Sequence, residues 1–222
     1  MQTADLTTFE NIDRTVTVSF RPKGLSRGII PLLYEKARAD GPISYAVATS
    51  ILNHPGAKVG ILTGAAVPDF LPLGENDGPL GAMALAAALQ KLGYTVTILT
   101  EDELRTIFGG LFELYGQSFP ILGLSKDDPE DHAKTAPDLD ILISIEKLGS
   151  NRKHVMHGAT GTSRNGTRAH VDGLVRRMNE AGKLTVGIGD GGNEIGFEGF
   201  SRPRGIWWTT ASSVSALAQM ES

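Results

Sequence analysis

The chain has no cysteine, which excludes a disulfide framework, a thiolate nucleophile and a Cys-ligated zinc site. It has no apolar run approaching the roughly 18 residues of a membrane span. Its first 20 residues are polar and acidic, unlike a signal peptide. Cationic residues are neither abundant nor clustered. Lys and Arg number 21 against 25 Asp and Glu, for a net charge of −4, so neither nucleic acid nor a membrane is expected as a partner. No Gly-Lys-Ser/Thr triplet occurs, and a P-loop is therefore excluded. What is left is the expectation of a soluble intracellular protein. For a mass of 23.6 kDa, surface scaling gives about 9,800 Å² exposed when folded against about 34,000 Å² unfolded, enough burial for a core without staples. The expectation is a single α/β domain over residues 1–222. Residues 1–24 are an N-terminal extension or edge strand, and 201–222 a divergent tail.

What the chain has in excess is glycine: 27 of 222 residues, about 12% against roughly 7% on average. The glycines are concentrated. Six fall between Gly187 and Gly199, and others punctuate the stretch from Gly60 to Gly93. Such clustering marks tight turns or a backbone approached closely by another group.

Hydrophobic patterning supplies the elements. Thr15 to Phe20 alternates and reads as an edge strand, and Ile29, Ile30, Leu33, Tyr34 and Ala37 have helical spacing within Ser26 to Ala39. Gly41-Pro42 ends that helix, with Pro42 opening a second through about Asn53. Ala57 to Thr63 is a short buried strand. Ala82 to Leu92 is helical and closed by Gly93. Tyr94 to Leu99 is a strand, after which Thr100 and Glu103 spell a capping box for the next helix. Phe119 to Leu122 is a strand candidate, and Asp127 to Lys134 an exposed charged turn of helix. Asp140 to Ile145 is a continuous apolar strand, residues 147–167 form a polar loop, His170 to Ala181 an amphipathic helix, and Leu184 to Ile188 a last apolar strand. Apolar strands alternating with helices predict a mostly parallel sheet covered by helices on both faces, a Rossmann-like three-layer sandwich.

In such sheets ligands bind beyond the carboxyl ends of the strands. The first strand leads into Thr63-Gly64 and the loop holding Asp77, the central strand delivers Glu146, and the last delivers Gly189-Asp190-Gly191-Gly192-Asn193-Glu194. Acidic clusters meeting there could serve as general acid and base, bind an amine, or hold a divalent cation. Asp77-Gly78-Pro79-Leu80-Gly81 opens a helix, where free N–H groups suit a carboxylate or phosphate, or where Asp77 acts as N-cap. Gly187 to Gly192 spells a dinucleotide fingerprint, but Asp190 would face the pyrophosphate. The Gly-Asp-Gly-x-Asn stretch also resembles the magnesium loop of haloacid dehalogenase-like phosphatases, with Asp138-Leu139-Asp140 spelling their nucleophile motif although it precedes its strand. His154-x-x-His157 has no third ligand, and Arg164 to Arg177 reads as a solvated helix face.

Taken together, Thr63-Gly64, Asp77-Gly78-Pro79-Leu80-Gly81-Ala82, Ile143-Ser144-Ile145-Glu146 and Gly187 to Gly196 resemble the D-glutamate cyclase family, in its C-terminal domain, over roughly residues 10–200. The family's usual Arg-Pro-Gly after Ile-Glu is Lys147-Leu148-Gly149 here, its tyrosine-rich segment is absent, and Glu-Ile-Gly runs on into Phe197-Glu198-Gly199. The resemblance implies a lyase, a hydro-lyase interconverting D-glutamate and 5-oxo-D-proline, with an amino-acid substrate. It implies a cytoplasmic location, or the mitochondrial matrix in a eukaryote, and a homo-oligomer is compatible with it. Glu146, Asp190 and Glu194 would do acid–base work. Asn193 with the amides around Gly191 and Gly192 would hold the oxyanion, and Thr63, Gly64 and the Asp77 to Gly81 turn, with Gly78, would bind substrate, the turn taking its α-carboxylate. Carboxylates facing an anionic substrate call for a divalent cation, Mn²⁺ or Mg²⁺, at Asp190 and Glu194, or a basic neighbour such as Lys147 or Arg152. The alternatives are a metal-dependent phosphatase and a non-catalytic small-molecule binder.

Overall fold

The computed structural model describes residues 3–18, 30–38, 41–64, 66, 71–75, 77–127, 132, 138–158 and 161–196. Five strands, β1 (Lys58–Leu62), β2 (Thr95–Glu101), β3 (Ile121–Leu124), β4 (Ile141–Ile145) and β5 (Leu184–Ile188), form one sheet in the order β3-β2-β1-β4-β5. Every pairing is parallel, with Leu62 beside Leu99 on one side and Ser144 on the other. The strand order reverses between β1 and β4, so the topological switch point lies at the carboxyl ends of those two strands.

Residues buried on both faces explain the continuous apolar runs. One face carries Val59, Ile61, Val96, Ile98, Ile141 and Ile143 against the helices α3 (Ile43–Leu52), α4 (Asp77–Lys91) and α5 (Arg105–Leu114), where Phe108 and Phe112 are 1% exposed. The other carries Leu62, Leu99, Leu124 and Leu142 against α6 (Asp172–Glu180), through Leu174, Val175 and Met178. Each fully buried aliphatic side chain contributes about 1.5–3 kcal/mol relative to exposure. The expected covered parallel sheet is present.

Three local expectations are corrected. Thr3–Val16 is a helix, α1, so Thr15 and Val16 end a helix rather than open an edge strand. Its inward face presents Asp13, 2% exposed, where an apolar residue would have completed the period. The carboxylate accepts hydrogen bonds from Ile43 N (2.7 Å) and Ser44 N (3.1 Å) at the start of α3. It also accepts from the Tyr34 hydroxyl of α2 (Ile30–Ala37) at 2.8 Å. Second, the Thr100–Glu103 capping box does not form. β2 runs on to Glu101, a short 3-10 turn spans Asp102–Leu104, and Glu103 pairs with Lys126 instead. Third, of the predicted exposed turn over 127–134, residues 128–131 and 133–134 lie outside the described residues, and His132 within it is 1% exposed. The tail 201–222, Phe197 to Gly199 and the start of the Ser26 helix also lie outside the described residues.

Asp138 and Asp140 stand at the amino end of β4. Asp140 accepts from Lys58 N at 2.9 Å, and Asp138 lies 3.6 Å from Lys58 Nζ. The motif expected of a phosphatase nucleophile is thus on the sheet edge opposite the switch point.

Candidate functional site

The site is assembled from the loops that leave β1, β4 and β5. Glu146 follows β4 directly and has φ 55°, a left-handed conformation unusual for a residue with a side chain. Its own N–H still donates to Ile188 O at 2.9 Å, so the sheet ladder clamps the residue as the chain turns. Strain of this kind persists only where the surroundings over-determine it.

The loop after β5 wraps around one carboxylate. Glu194 Oε1 accepts from the amides of Asp190 (3.3 Å) and Gly191 (2.8 Å), and Oε2 from those of Gly192 (2.8 Å) and Asn193 (3.1 Å). Successive N–H groups curled in this way form an anion nest, and the anion is the chain's own. The Gly191 and Gly192 amides, expected to face a substrate oxyanion, here donate to Glu194. Asn193 Nδ2 donates to His157 O at 2.5 Å. The loop is also stitched to the β4 exit by Ile195 N to Lys147 O (2.8 Å) and Gly149 N to Asn193 O (3.0 Å). Gly187 permits this packing: a Cβ there would lie 2.5 Å from Ile195 O, and backbone cannot yield.

Carboxylate oxygens of Glu146, Asp190 and Glu194 lie within 4.8 Å of one another. Oxygen-only ligands from two loops, half-buried to buried, fit a hard divalent cation such as Mg²⁺ or Mn²⁺. His154 and His157 join no such cluster among the described residues.

Thr63 and Gly64 leave β1 on the other side of the switch point. The Thr63 hydroxyl is fully buried and has no hydrogen-bond partner among the described residues. It abuts the first turn of α4, where a Cβ on Gly78 would lie 2.6 Å from Thr63 Oγ1 and 3.7 Å from Glu146 Cβ. The sequence-predicted Thr63, Gly78 and Glu146 are therefore brought together. Gly81 is exposed and has open space around it, away from this cradle. Asp77 opens α4 as expected; its side chain lies outside the described residues.

A buried ionic group adjoins the site, and most of it was not foreseen. Lys147, 1% exposed, forms an ion pair with Glu101 Oε1 and reaches Gly64 O at 3.4 Å. Glu101, 0% exposed, also accepts from Ala169 N at 3.2 Å. Arg168 is 3% exposed, which corrects the reading of Arg164 to Arg177 as a solvated helix face. Burial pushes the Lys147 ammonium below its ordinary range, with Glu101 opposing, and acts on Arg168 in the same direction against the same opposing carboxylate. Arg152, the other basic neighbour expected, is exposed. A carboxylate ending a strand at the ligand-binding edge was the available signal for Glu101. Nothing local marks Arg168 as buried.

A doubly wound parallel sheet with strained, acidic and glycine-rich loops at its switch point defines an α/β domain whose candidate site lies where ligands bind in folds of this class. Residues 14–202 match the D-glutamate cyclase-like, C-terminal family, and the chain belongs to it. A human (Homo sapiens) relative, "D-glutamate cyclase, mitochondrial", is 27% identical over 193 residues, covering 77% of this chain and 29% of the relative. The chain thus spans less than a third of that relative's length. Among the described residues, no helix is long and apolar enough to cross a membrane.

Proposed function

We propose that the chain carries a D-glutamate cyclase-like lyase activity, the reversible dehydration of D-glutamate to 5-oxo-D-proline. The observation that carries this reading is Glu146, held in a left-handed conformation at the switch point, with Asp190 and Glu194 oxygens within 4.8 Å. Family membership supports the substrate class.

Ring closure requires the substrate ammonium to lose two protons and its nitrogen to bond the carbon of the γ-carboxyl group. One γ-oxygen gains both protons and leaves as water, which balances the step. Glu146 and Asp190 sit on opposite loops, one suited to accept a proton from the amine and the other to return one to the departing oxygen. Glu194 acts as a positioning residue, because its carboxylate orders the loop that presents Asp190. The Thr63 hydroxyl and the first turn of α4 flank the substrate opposite the carboxylates, and the hydroxyl can donate to the developing oxyanion. A divalent cation held by Glu146 and Asp190, beside the amide-bound Glu194, would neutralise charge between those carboxylates and an anionic substrate.

Proton NMR of the purified chain with D-glutamate or 5-oxo-D-proline, with and without Mn²⁺, tests this directly. Interconversion is expected with the D-enantiomers, absent with the L-enantiomers and abolished by Asp190→Asn at unchanged melting temperature. A folded wild-type chain that leaves both D-compounds untouched refutes the reaction.

A further inference from the structure

We propose that Arg168 is the receptor for a substrate carboxylate, forming with Glu101 and Lys147 a buried subsite that an incoming anion completes. This rests on the cyclase reading for the identity of the substrate, and on the charge arrangement alone for the class of ligand.

Three ionisable side chains, none more than 3% exposed, lie within electrostatic reach of one another at the carboxyl edge: Glu101 from the end of β2, Lys147 from the β4 exit and Arg168 from the segment before α6. Two are cationic and one is anionic. The Lys147 ammonium takes Glu101 Oε1, the oxygen that also accepts from Ala169 N. Arg168 makes no ion pair with Glu101, and its Nε and Nη1 have no hydrogen-bond partner among the described residues, nor does Glu101 Oε2. Two other carboxylates act on Arg168 through space, those of Glu75 and Glu103, while Arg164 acts against them. Glu103 is committed to Lys126.

Buried charges are ordinarily paired, and a guanidinium does not relieve its burial by losing a proton as an ammonium can. A buried guanidinium with two open N–H groups therefore calls for an acceptor. A carboxylate matches it, because each edge of the planar guanidinium pairs Nη2 with either Nε or Nη1 and so offers two parallel donors to two oxygens. The subsite is next to the chemistry along the chain: Lys147 follows Glu146, and its ammonium reaches Gly64 O beside Thr63. In ring closure the γ-carboxyl reacts while the α-carboxylate passes unchanged into 5-oxoproline, so a fixed receptor serves both directions by holding the α-carboxylate. The α4 turn is then left to flank the substrate rather than to carry its charge.

The test compares wild type, Arg168→Gln and Arg168→Lys by calorimetric titration and thermal shift. The probes are 5-oxo-D-proline, its carboxamide, and glutarate as a dicarboxylate that cannot cyclise. Wild type is expected to bind 5-oxo-D-proline at least tenfold more tightly than the carboxamide. Arg168→Gln is expected to lose that discrimination while melting no lower than wild type without ligand, since an unpaired buried charge has been removed. Arg168→Lys should recover part of the discrimination. In turnover, the Gln variant should raise KM more than it lowers kcat. Equal wild-type affinity for acid and amide overturns the proposal, and so does full discrimination in Arg168→Gln. The acid-against-amide comparison uses wild type alone, so it decides even where a variant fails to fold. If no amino-acid compound is turned over but glutarate still stabilises wild type and not Arg168→Gln, the cyclase reading falls and the carboxylate subsite stands.

Discussion

Glu194 decides the shape of the β5 loop, because four backbone amides converge on its two oxygens. Glutamine at this position keeps one acceptor oxygen and points an amide group at N–H donors. Glu194→Gln is therefore expected to cost about 1.5–3 kcal/mol, the value of charge-assisted hydrogen bonds lost from a buried site. Urea denaturation measures the loss, and hydrogen exchange at Gly191 and Gly192 should accelerate with it. A Glu194→Gln chain with wild-type stability and protected amides would remove Glu194 from its positioning role. Glu146 and Asp190 were legible from sequence because a polar residue just past an apolar strand has only one edge to occupy. The use of the amides was not. It depends on Glu194 folding back on its own loop, which spacing does not reveal.

At the level of elements, one carboxylate ties three helices together. Asp13 of α1 caps α3 from thirty positions away and accepts the Tyr34 hydroxyl of α2. Burial, and then the hydrogen bond to Asp13, raise the Tyr34 pKa to about 12, against about 10 in an unfolded chain. The folded value is the higher, so the stabilisation is fully present below about pH 10. It is lost as pH rises from there through about 12, where the unfolded chain releases the proton first. Denaturation midpoints should accordingly fall more steeply over that window in wild type than in Tyr34→Phe. Equal slopes would detach Tyr34 from the alkaline transition. The same pair explains why α1 was misread. Phe9 stacks edge-on against Tyr45 at 5.3 Å, but the next inward position is a carboxylate, and the helical period is broken by its most important contact. The strands were legible for the converse reason. β1, β4 and β5 are covered on both faces, so their runs are apolar almost throughout, with Ser144 and Thr185 as the polar residues inside them. Glu101 shows where that logic fails, since β2 ends on a buried charge that Lys147 balances from another strand's loop.

The molecule as a whole is polar in the sense of direction: all five strands point the same way, and the two edges of the sheet do different work. Both edges carry paired acids with similar spelling, Asp138 and Asp140 at one and Asp190 and Glu194 at the other. At the amino edge Asp140 accepts from the β1 backbone and Asp138 faces the Lys58 ammonium, contacts that join β4 to β1. Both are exposed, so removing them costs about 1 kcal/mol or less. At the carboxyl edge the acids surround a strained Glu146 at the switch point. Asp138→Asn with Asp140→Asn is therefore expected to leave turnover of D-glutamate and 5-oxo-D-proline at the wild-type rate, with a melting temperature lower by only a few degrees. Asp190→Asn should do the reverse, keeping the melting temperature and losing turnover. Measuring both quantities on both variants separates the edges. If the amino-edge pair abolished activity at intact stability, the chemistry would lie at the wrong end of the sheet for this fold, and the assignment of the switch-point loops would have to be abandoned.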